Sequence, residues 1–464
     1  MYIKLVYALK FSIIPLSVYL IGYYASSCEF SHAQTPLDTH LDSLIELSLA
    51  DIYQQWYYDD YPKAFEAYDT LAQYAQKSQR WVWYLQIMND QTFLTLFHDD
   101  FPKALQLNQK GLAAFKNYAK EMEKPEADEI QSALLYSKCY LEFESGDFEA
   151  CLATSKDRLK YLPDEDSINQ TSTYRMIAYA SRHLHRYDEA IQYFEASIRY
   201  LPKGSDNLVF NYDYGNALRL GNIGETYLAK FLKNKYPGQA QQARKYMQRS
   251  IQTLENHRHW LISQNILDKD LFNALSSQYR SLAMFYKETR QYDSAYYYLD
   301  KSKLFLKNEL NTIKLALLEG DVCHADQRYE QAIQAYEEAF QISEKFHSKL
   351  HPTKALALQK MGEVYFTQES YAQAIRQYQL AIFQLDSTFQ FNRNLAVNPH
   401  LDKVIWNQDL LQILVLKARA FHHWAKQNGW EPKKLQIAQQ TYHWRLNWWI
   451  KSGVAIQPRS TRPW

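Results

Sequence analysis

Between residues 41 and 388 one local pattern returns at intervals: an aromatic residue, two variable residues, then a small one. The copies are Tyr61-Pro62-Lys63-Ala64, Phe101-Pro102-Lys103-Ala104, Phe148-Glu149-Ala150-Cys151, Tyr187-Asp188-Glu189-Ala190, Tyr292-Asp293-Ser294-Ala295, Tyr329-Glu330-Gln331-Ala332 and Tyr371-Ala372-Gln373-Ala374. A weaker copy, Gln241-Gln242-Ala243, lacks the aromatic. The small residues are spaced 40, 47, 39, 53, 52, 37 and 42 apart. Twelve residues before most of them stands a second small residue: Cys139, Ala178, Ala283, Gly320 and Gly362, with Ile52 and Thr92 there in the first two copies. In the weaker copy Gly224 lies 19 residues before Ala243, which predicts a longer turn within Phe231–Gln239. Two small residues on either side of a turn predict a helical hairpin whose helices approach closely at that point. A recurrent unit of this length is the mark of a stacked-repeat architecture.

A ninth hairpin is predicted at 408–450, from the apolar run Leu410–Ala418 and the segment Leu435–Tyr442, with a break at Asn428-Gly429 and Pro432. Residues 389–407 are less periodic and read as a linker. Residues 451–464 carry two prolines and no helical pattern, so a frayed tail is expected. Composition agrees with helices. The 464 residues include only 12 glycines and 13 prolines, too few for the turns of a β-rich fold, but 38 tyrosines. A net charge of +1 offers no basic excess for nucleic acid.

The first 33 residues read differently. Lys4 and Lys10 supply positive charge, and Phe11–Tyr24 is an uncharged apolar stretch of 14 residues. That is short for a membrane span and suits a signal peptide. Cleavage after Ala33 would leave 34–388 as the repeat array. Ala25-Ser26-Ser27-Cys28 offers a second outcome, lipidation at Cys28, and an uncleaved anchor is a third. Each predicts an exported chain, periplasmic or in the cell envelope, and only the latter two attach it to a membrane.

The copy Leu358, Met361, Gly362, Tyr365, Ala374, Tyr378, Ala381 resembles the tetratricopeptide repeat (TPR) family, as do the partial copies at Ala190, Phe194, Ser197, Pro202 and at Ala332, Tyr336, Ala339. The resemblance implies an all-α, right-handed solenoid of about eight to nine helical hairpins. It also implies a non-enzymatic scaffold or sensor for a protein or peptide partner. His351-Pro352 resembles the longer repeats of kinesin-light-chain-like arrays. An exported array ending in the helix Leu410–Trp424 is similar to the repeat half of secreted bacterial TPR–CHAT proteins. There a caspase-like protease domain follows the repeats. The short remainder here has no room for one, so that likeness implies a truncated or regulatory half with a caspase-like protease as partner.

In this family the residue after the first small position lines the groove. Here that residue is Tyr53, Phe93, Tyr140 and Tyr179, then Glu225, Met284, Asp321 and Glu363. Two readings of the four aromatics stand. They anchor a partner on the groove, or the register slips in the early repeats and they are core. Cys139 and Cys151 at facing small positions allow either a disulfide or simple packing. No zinc spacing, nucleophile elbow or phosphate loop is present, so no catalytic residue, metal or cofactor is expected. His183-x-His185 and His257-x-His259 are spaced two apart and would not share a helical face. Asp59-Asp60 and Asp99-Asp100 stand where helices begin and read as caps.

Overall fold

The computed structural model describes residues 36–452, apart from 56–59, 99, 202–211, 264–267, 307, 347–349, 387–388, 390–393 and 400–407. Every regular element among the described residues is a helix. They pair as hairpins: α1 (Pro36–Gln55) with α2 (Tyr61–Lys77), α3 (Trp81–Phe97) with α4 (Phe101–Tyr118), and α5 (Lys124–Glu144) with α6 (Phe148–Arg158). Next come α7 (Ser167–His183) with α8 (Tyr187–Arg199), and α9 (Tyr212–Asn234) with α10 (Pro237–Ser263). Then follow α11 (Lys269–Glu288) with α12 (Tyr292–Lys303), α13 (Glu309–Ala325) with α14 (Tyr329–Phe346), and α15 (Pro352–Thr367) with α16 (Tyr371–Leu385). The last pair is α17 (Gln408–Gln427) and α18 (Pro432–Ser452). The chain divides into two compact units, up to Ala274 and from Leu275 onward.

Seven of the second helices begin on the repeated aromatic itself. The turn before it explains why. The backbone N–H of Arg328 reaches the carbonyl of Cys323 at 2.8 Å, and that of Gln327 reaches His324 at 3.1 Å. This closure needs a left-handed residue after the first helix. Gly146 supplies it without strain at φ 80°, whereas His185, Arg290, Gln327 and Glu369 adopt φ between 57° and 62° with a Cβ. Replacing Gln327 by Gly should therefore stabilise the chain by up to about 1 kcal/mol, and Gly146→Ala should cost about as much. Thermal melts of the two variants, moving in opposite directions, check this. Second helices are also capped from the side chain: Asp60 accepts the N–H of Lys63, Asp100 that of Lys103 and Asp147 that of Ala150. Asp60 and Asp100 thus do what the sequence predicted; Asp59 and Asp99 lie outside the described residues.

All eight small residues of the second helices are fully buried, from Ala64 to Ala374. Their partners differ from the expectation of small against small. A Cβ on Gly320 would lie 2.4 Å from the Tyr336 ring, and one on Gly362 would lie 2.5 Å from the Tyr378 ring. The first helix is small in order to seat the residue one turn past the small position of the second helix. In order along the chain those residues are Tyr68, Asn108, Ser155, Phe194, Met247, Leu299, Tyr336 and Tyr378. The fifth hairpin corrects a second expectation. Its turn is not lengthened: α9 ends at Asn234 and α10 begins at Pro237. Its small residues are seven further apart than elsewhere. Seven residues are about one helical turn on each strand of the hairpin. Both helices grow and the register survives, with a Cβ on Gly224 falling 2.7 Å from Met247 and 3.0 Å from the Ala243 carbonyl.

Each unit has its own apolar clusters. In the first, Ile45, Leu49, Tyr68, Leu85, Met88 and Leu134 lock the opening hairpins together. In the second, Met361, Tyr378, Ile382, Leu410, Ile413 and Phe421 join the eighth hairpin to the ninth. Buried Lys417 ties that junction, donating to Gln379, to the Val397 carbonyl and to Asn398 at 2.6, 2.7 and 2.9 Å.

Candidate functional site

The face formed by the first helices of the early hairpins collects the aromatic residues singled out by the sequence. Phe93 is 4% exposed and packs against Tyr136 and Tyr140 at ring distances of 6.1 and 5.9 Å. It is therefore core, and the groove assignment does not hold for Phe93 in this conformation. Tyr140 is half-buried and meets Tyr136 edge-on at 5.1 Å. Tyr179 is half-buried between Phe143 of α5 and Phe194 of α8, and its hydroxyl accepts from Asn222 of α9 at 3.1 Å. Tyr53 is half-buried against the cluster of the opening hairpins. The aromatic row thus splits into one buried ring and three partly open ones.

The acidic continuation of the row is internally compensated. Glu225 pairs with Arg182 at 3.0 Å. Asp321 accepts from Tyr336 at 2.7 Å and pairs with Lys360 at 3.2 Å, while Glu363 pairs with the same lysine at 3.6 Å.

The cysteines among the described residues, Cys139, Cys151 and Cys323, are free and buried. Ser155 donates to the sulfur of Cys139 at 3.2 Å, and burial pushes that thiol up to about 12, so it holds its proton at neutral pH. Cys28 and Ala33 lie outside the described residues. His183 stacks on Phe148 at 4.3 Å, and burial lowers its pKa. His185 bonds the Tyr187 hydroxyl at 2.9 Å. No group of three His, Cys, Asp or Glu among the described residues could hold a metal ion, and no helix there is long and apolar enough to cross a membrane. An open cleft of about 630 Å³ lies over Tyr174, Tyr193 and Tyr200. Its stacked rings recur at Tyr279, Tyr298 and Phe305, at the same repeat positions. The ladder is repeat packing rather than a device of one hairpin.

Two features escaped the sequence reading. In α3 the run Asn89-Asp90-Gln91 is buried at 1, 0 and 3% exposure. Both polar atoms of Asn89, both oxygens of Asp90 and the Gln91 amide nitrogen have no partner. Burial alone pushes the Asp90 carboxyl up to about 8. The second feature is a group of three arginines, Arg158, Arg175 and Arg219. Arg158 is buried and donates to Ser132, Asn169, Ser172 and Thr173, with its guanidinium 4.2 Å from the Tyr136 ring centre. Arg175 lies among Tyr140, Tyr136 and Tyr179. Arg219 is 6% exposed and donates to Ser197 at 3.0 Å and to the Gly215 carbonyl at 2.9 Å. The signal for both features was present: charged or amide residues inside helices whose repeat register points them inward.

Stacked helical hairpins with small residues at each crossing define a helical-repeat scaffold. Residues 311–382 match the model of the tetratricopeptide repeat family, so that segment carries tetratricopeptide repeats, as its sequence pattern suggested. No curated protein matches the chain in sequence. Among solved structures, the apo form of the quorum sensor NprR from B. thuringiensis is 13% identical, covering 89% of this chain and 99% of that one at a TM-score of 0.49. A tetratricopeptide repeat protein from Parabacteroides merdae is 16% identical, covering 70% of this chain and 99% of that one at a TM-score of 0.41. The apo form of RapI is 14% identical, with coverages of 80% and 99% and a TM-score of 0.41. These likenesses add nothing to the hairpin geometry itself.

Proposed function

We propose that this chain is an exported, non-enzymatic scaffold or sensor that holds a protein partner on the first-helix face of its N-terminal unit. The observation that carries the reading is the partly open row there, Tyr140 and Tyr179 with Arg175 between them in the chain, set on rigid packed helices. Half-open tyrosines lose little conformational entropy on contact and make effective anchors. Export rests on the sequence of residues 1–33, and predicts a mature chain beginning at Gln34 or at lipidated Cys28. A narrower version makes the chain the regulatory half of a TPR–CHAT protease system. It is supported by the likeness of residues 410–424 and would show as co-purification with a caspase-like protease.

The test is capture from the native envelope fraction with the full chain as bait, read by mass spectrometry. Tyr140→Leu combined with Tyr179→Leu keeps apolar volume while removing both rings. We expect the double variant to retain the wild-type circular dichroism spectrum and to lose its partner by about thirtyfold or more in affinity. Equal capture by both proteins would overturn the assignment of this face.

A further inference from the structure

The contact between the second and third hairpins is built unevenly. On the second-helix side it is close and hydrogen-bonded. The Asn108 amide of α4 donates to the Leu134 carbonyl of α5 at 3.1 Å and to the Ser137 hydroxyl at 2.8 Å. Gly111 of α4 lies against Leu134, and a Cβ there would come within 3.0 Å of the leucine side chain. On the first-helix side α3 meets α5 through the Phe93 ring, packed on Tyr136 and Tyr140. Asp90 stands one turn before Phe93 on the same face of α3. Its carboxyl is fully buried with neither oxygen hydrogen-bonded, and Asn89 and Gln91 beside it add three more buried polar atoms without a partner. A carboxylate placed there would lack both water and a cation. The same face reaches solvent at both ends. Gln86, a turn before Asp90, is half-buried, and Phe97, a turn after Phe93, is exposed.

We propose that α3 swings away from α5 about the Asn108 contact when Asp90 loses its proton, and that this movement uncovers Phe93 on the first-helix face. The trigger is not set by charged neighbours. The titratable groups that α5 sets against this face are the phenols of Tyr136 and Tyr140. Charged groups of α2 and α4 are engaged elsewhere: Lys103 sits over the Phe65 ring at 3.2 Å, and Asp69 accepts from Gln73 at 3.0 Å. Burial alone pushes the Asp90 carboxyl up to about 8. In the closed form the acid therefore keeps its proton to about pH 8, whereas opened to water it keeps it only to its ordinary 3.8. The closed form binds more protons between those values, so each unit of rising pH favours the open form by up to about tenfold. The closed contact is at full strength below that window. Of the row Tyr53, Phe93, Tyr140 and Tyr179, Phe93 is the ring that the closed structure buries. Opening therefore completes the row presented to a partner. That consequence rests on the scaffold reading; the opening itself does not.

Hydroxyl-radical footprinting of the full chain, read by mass spectrometry at each ring, measures the opening without a partner. From pH 5 to pH 8, oxidation of Phe93 should rise by about threefold or more in wild type and stay flat in Asp90→Asn. Two rings of the same unit serve as controls: Phe97, exposed in the closed form, and Tyr68 of α2, fully buried. The proposal is overturned if Phe93 stays protected at pH 8, or if its oxidation rises equally in wild type and Asp90→Asn. A parallel rise at Tyr68 also overturns it, because that reports unfolding of the opening hairpins rather than movement of α3. Envelope capture separates the two levels. A partner captured by a chain whose Phe93 stays protected at pH 8 sinks the opening and leaves the scaffold standing. A rising Phe93 footprint with no protein captured supports the opening and sinks the scaffold.

Discussion

Asp90→Asn should make this protein markedly more stable at pH 8 and leave it nearly unchanged at pH 4. Asp90 is fully buried, its two oxygens have no hydrogen-bond partner, and burial pushes its pKa up to about 8 from an ordinary value of 3.8. The folded state therefore holds a proton that the unfolded state releases. Between about pH 4 and pH 8 the folded state binds more protons, so stability falls as pH rises through that window and levels off above it. The accumulated loss at pH 8 is on the order of 5 kcal/mol. Asparagine has the same shape and no charge, so it removes the pH term. In an array where each hairpin contacts mainly its neighbours, the effect concentrates around α3. Guanidinium midpoints of the first unfolding transition at pH 4, 6 and 8 provide the readout. The difference between wild type and variant isolates this residue from Asp270, whose burial acts in the same direction. A wild-type curve that parallels the Asp90→Asn curve across the window would refute the buried-acid account.

Asp90 also marks the limit of what the sequence made legible. The hairpin grammar lies within one repeat: an aromatic marks the turn, a small residue follows three later, and another precedes that one by twelve. Those relations are local, so the sequence locates each hairpin turn and puts the aromatic just before the second helix; the helices in fact begin one step earlier, on Tyr61, Phe101, Phe148, Tyr187, Tyr292, Tyr329 and Tyr371 themselves. The environment of Phe93, Asp90 or Arg175 depends instead on how far one hairpin rotates against the next, and no single repeat encodes that rotation. Phe93 was one of four equivalent aromatics in sequence, yet Tyr136 and Tyr140 of the following hairpin cover it and leave Tyr140 and Tyr179 partly open. The fifth hairpin failed for a different reason. Seven added residues look like a loop in a string of letters, whereas the helical period lets them vanish into two extra turns.

Gly320→Ala is expected to be the most damaging single methyl in the C-terminal unit. The added carbon would sit 2.4 Å from Cε1, 2.6 Å from Cδ1 and 2.8 Å from Cζ of Tyr336, well inside contact distance of a rigid ring. That ring cannot withdraw easily. It is fully buried, its hydroxyl donates to Asp321 at 2.7 Å, and Asp321 is held in turn by Lys360 at 3.2 Å. Overpacking of this kind costs about 3 kcal/mol, at the upper end of its usual range. The repeat supplies its own remedy. At the equivalent positions the sixth hairpin carries Ala283 with Leu299 and the fourth carries Ala178 with Phe194. Tyr336→Leu added to Gly320→Ala recreates the sixth pair, and should be more stable than Gly320→Ala alone, a positive coupling in a double-mutant cycle. Gly362→Ala provides the graded control. Its Cβ would lie 2.5 Å from the Tyr378 ring, but the Tyr378 hydroxyl is buried without a partner. That ring is less firmly held, so the loss should be smaller than for Gly320→Ala. Chemical denaturation of the four variants with wild type ranks them. If leucine at 336 failed to relieve alanine at 320, the pairing of a small first-helix residue with the side chain one turn into the second helix would not be what sets the helix spacing.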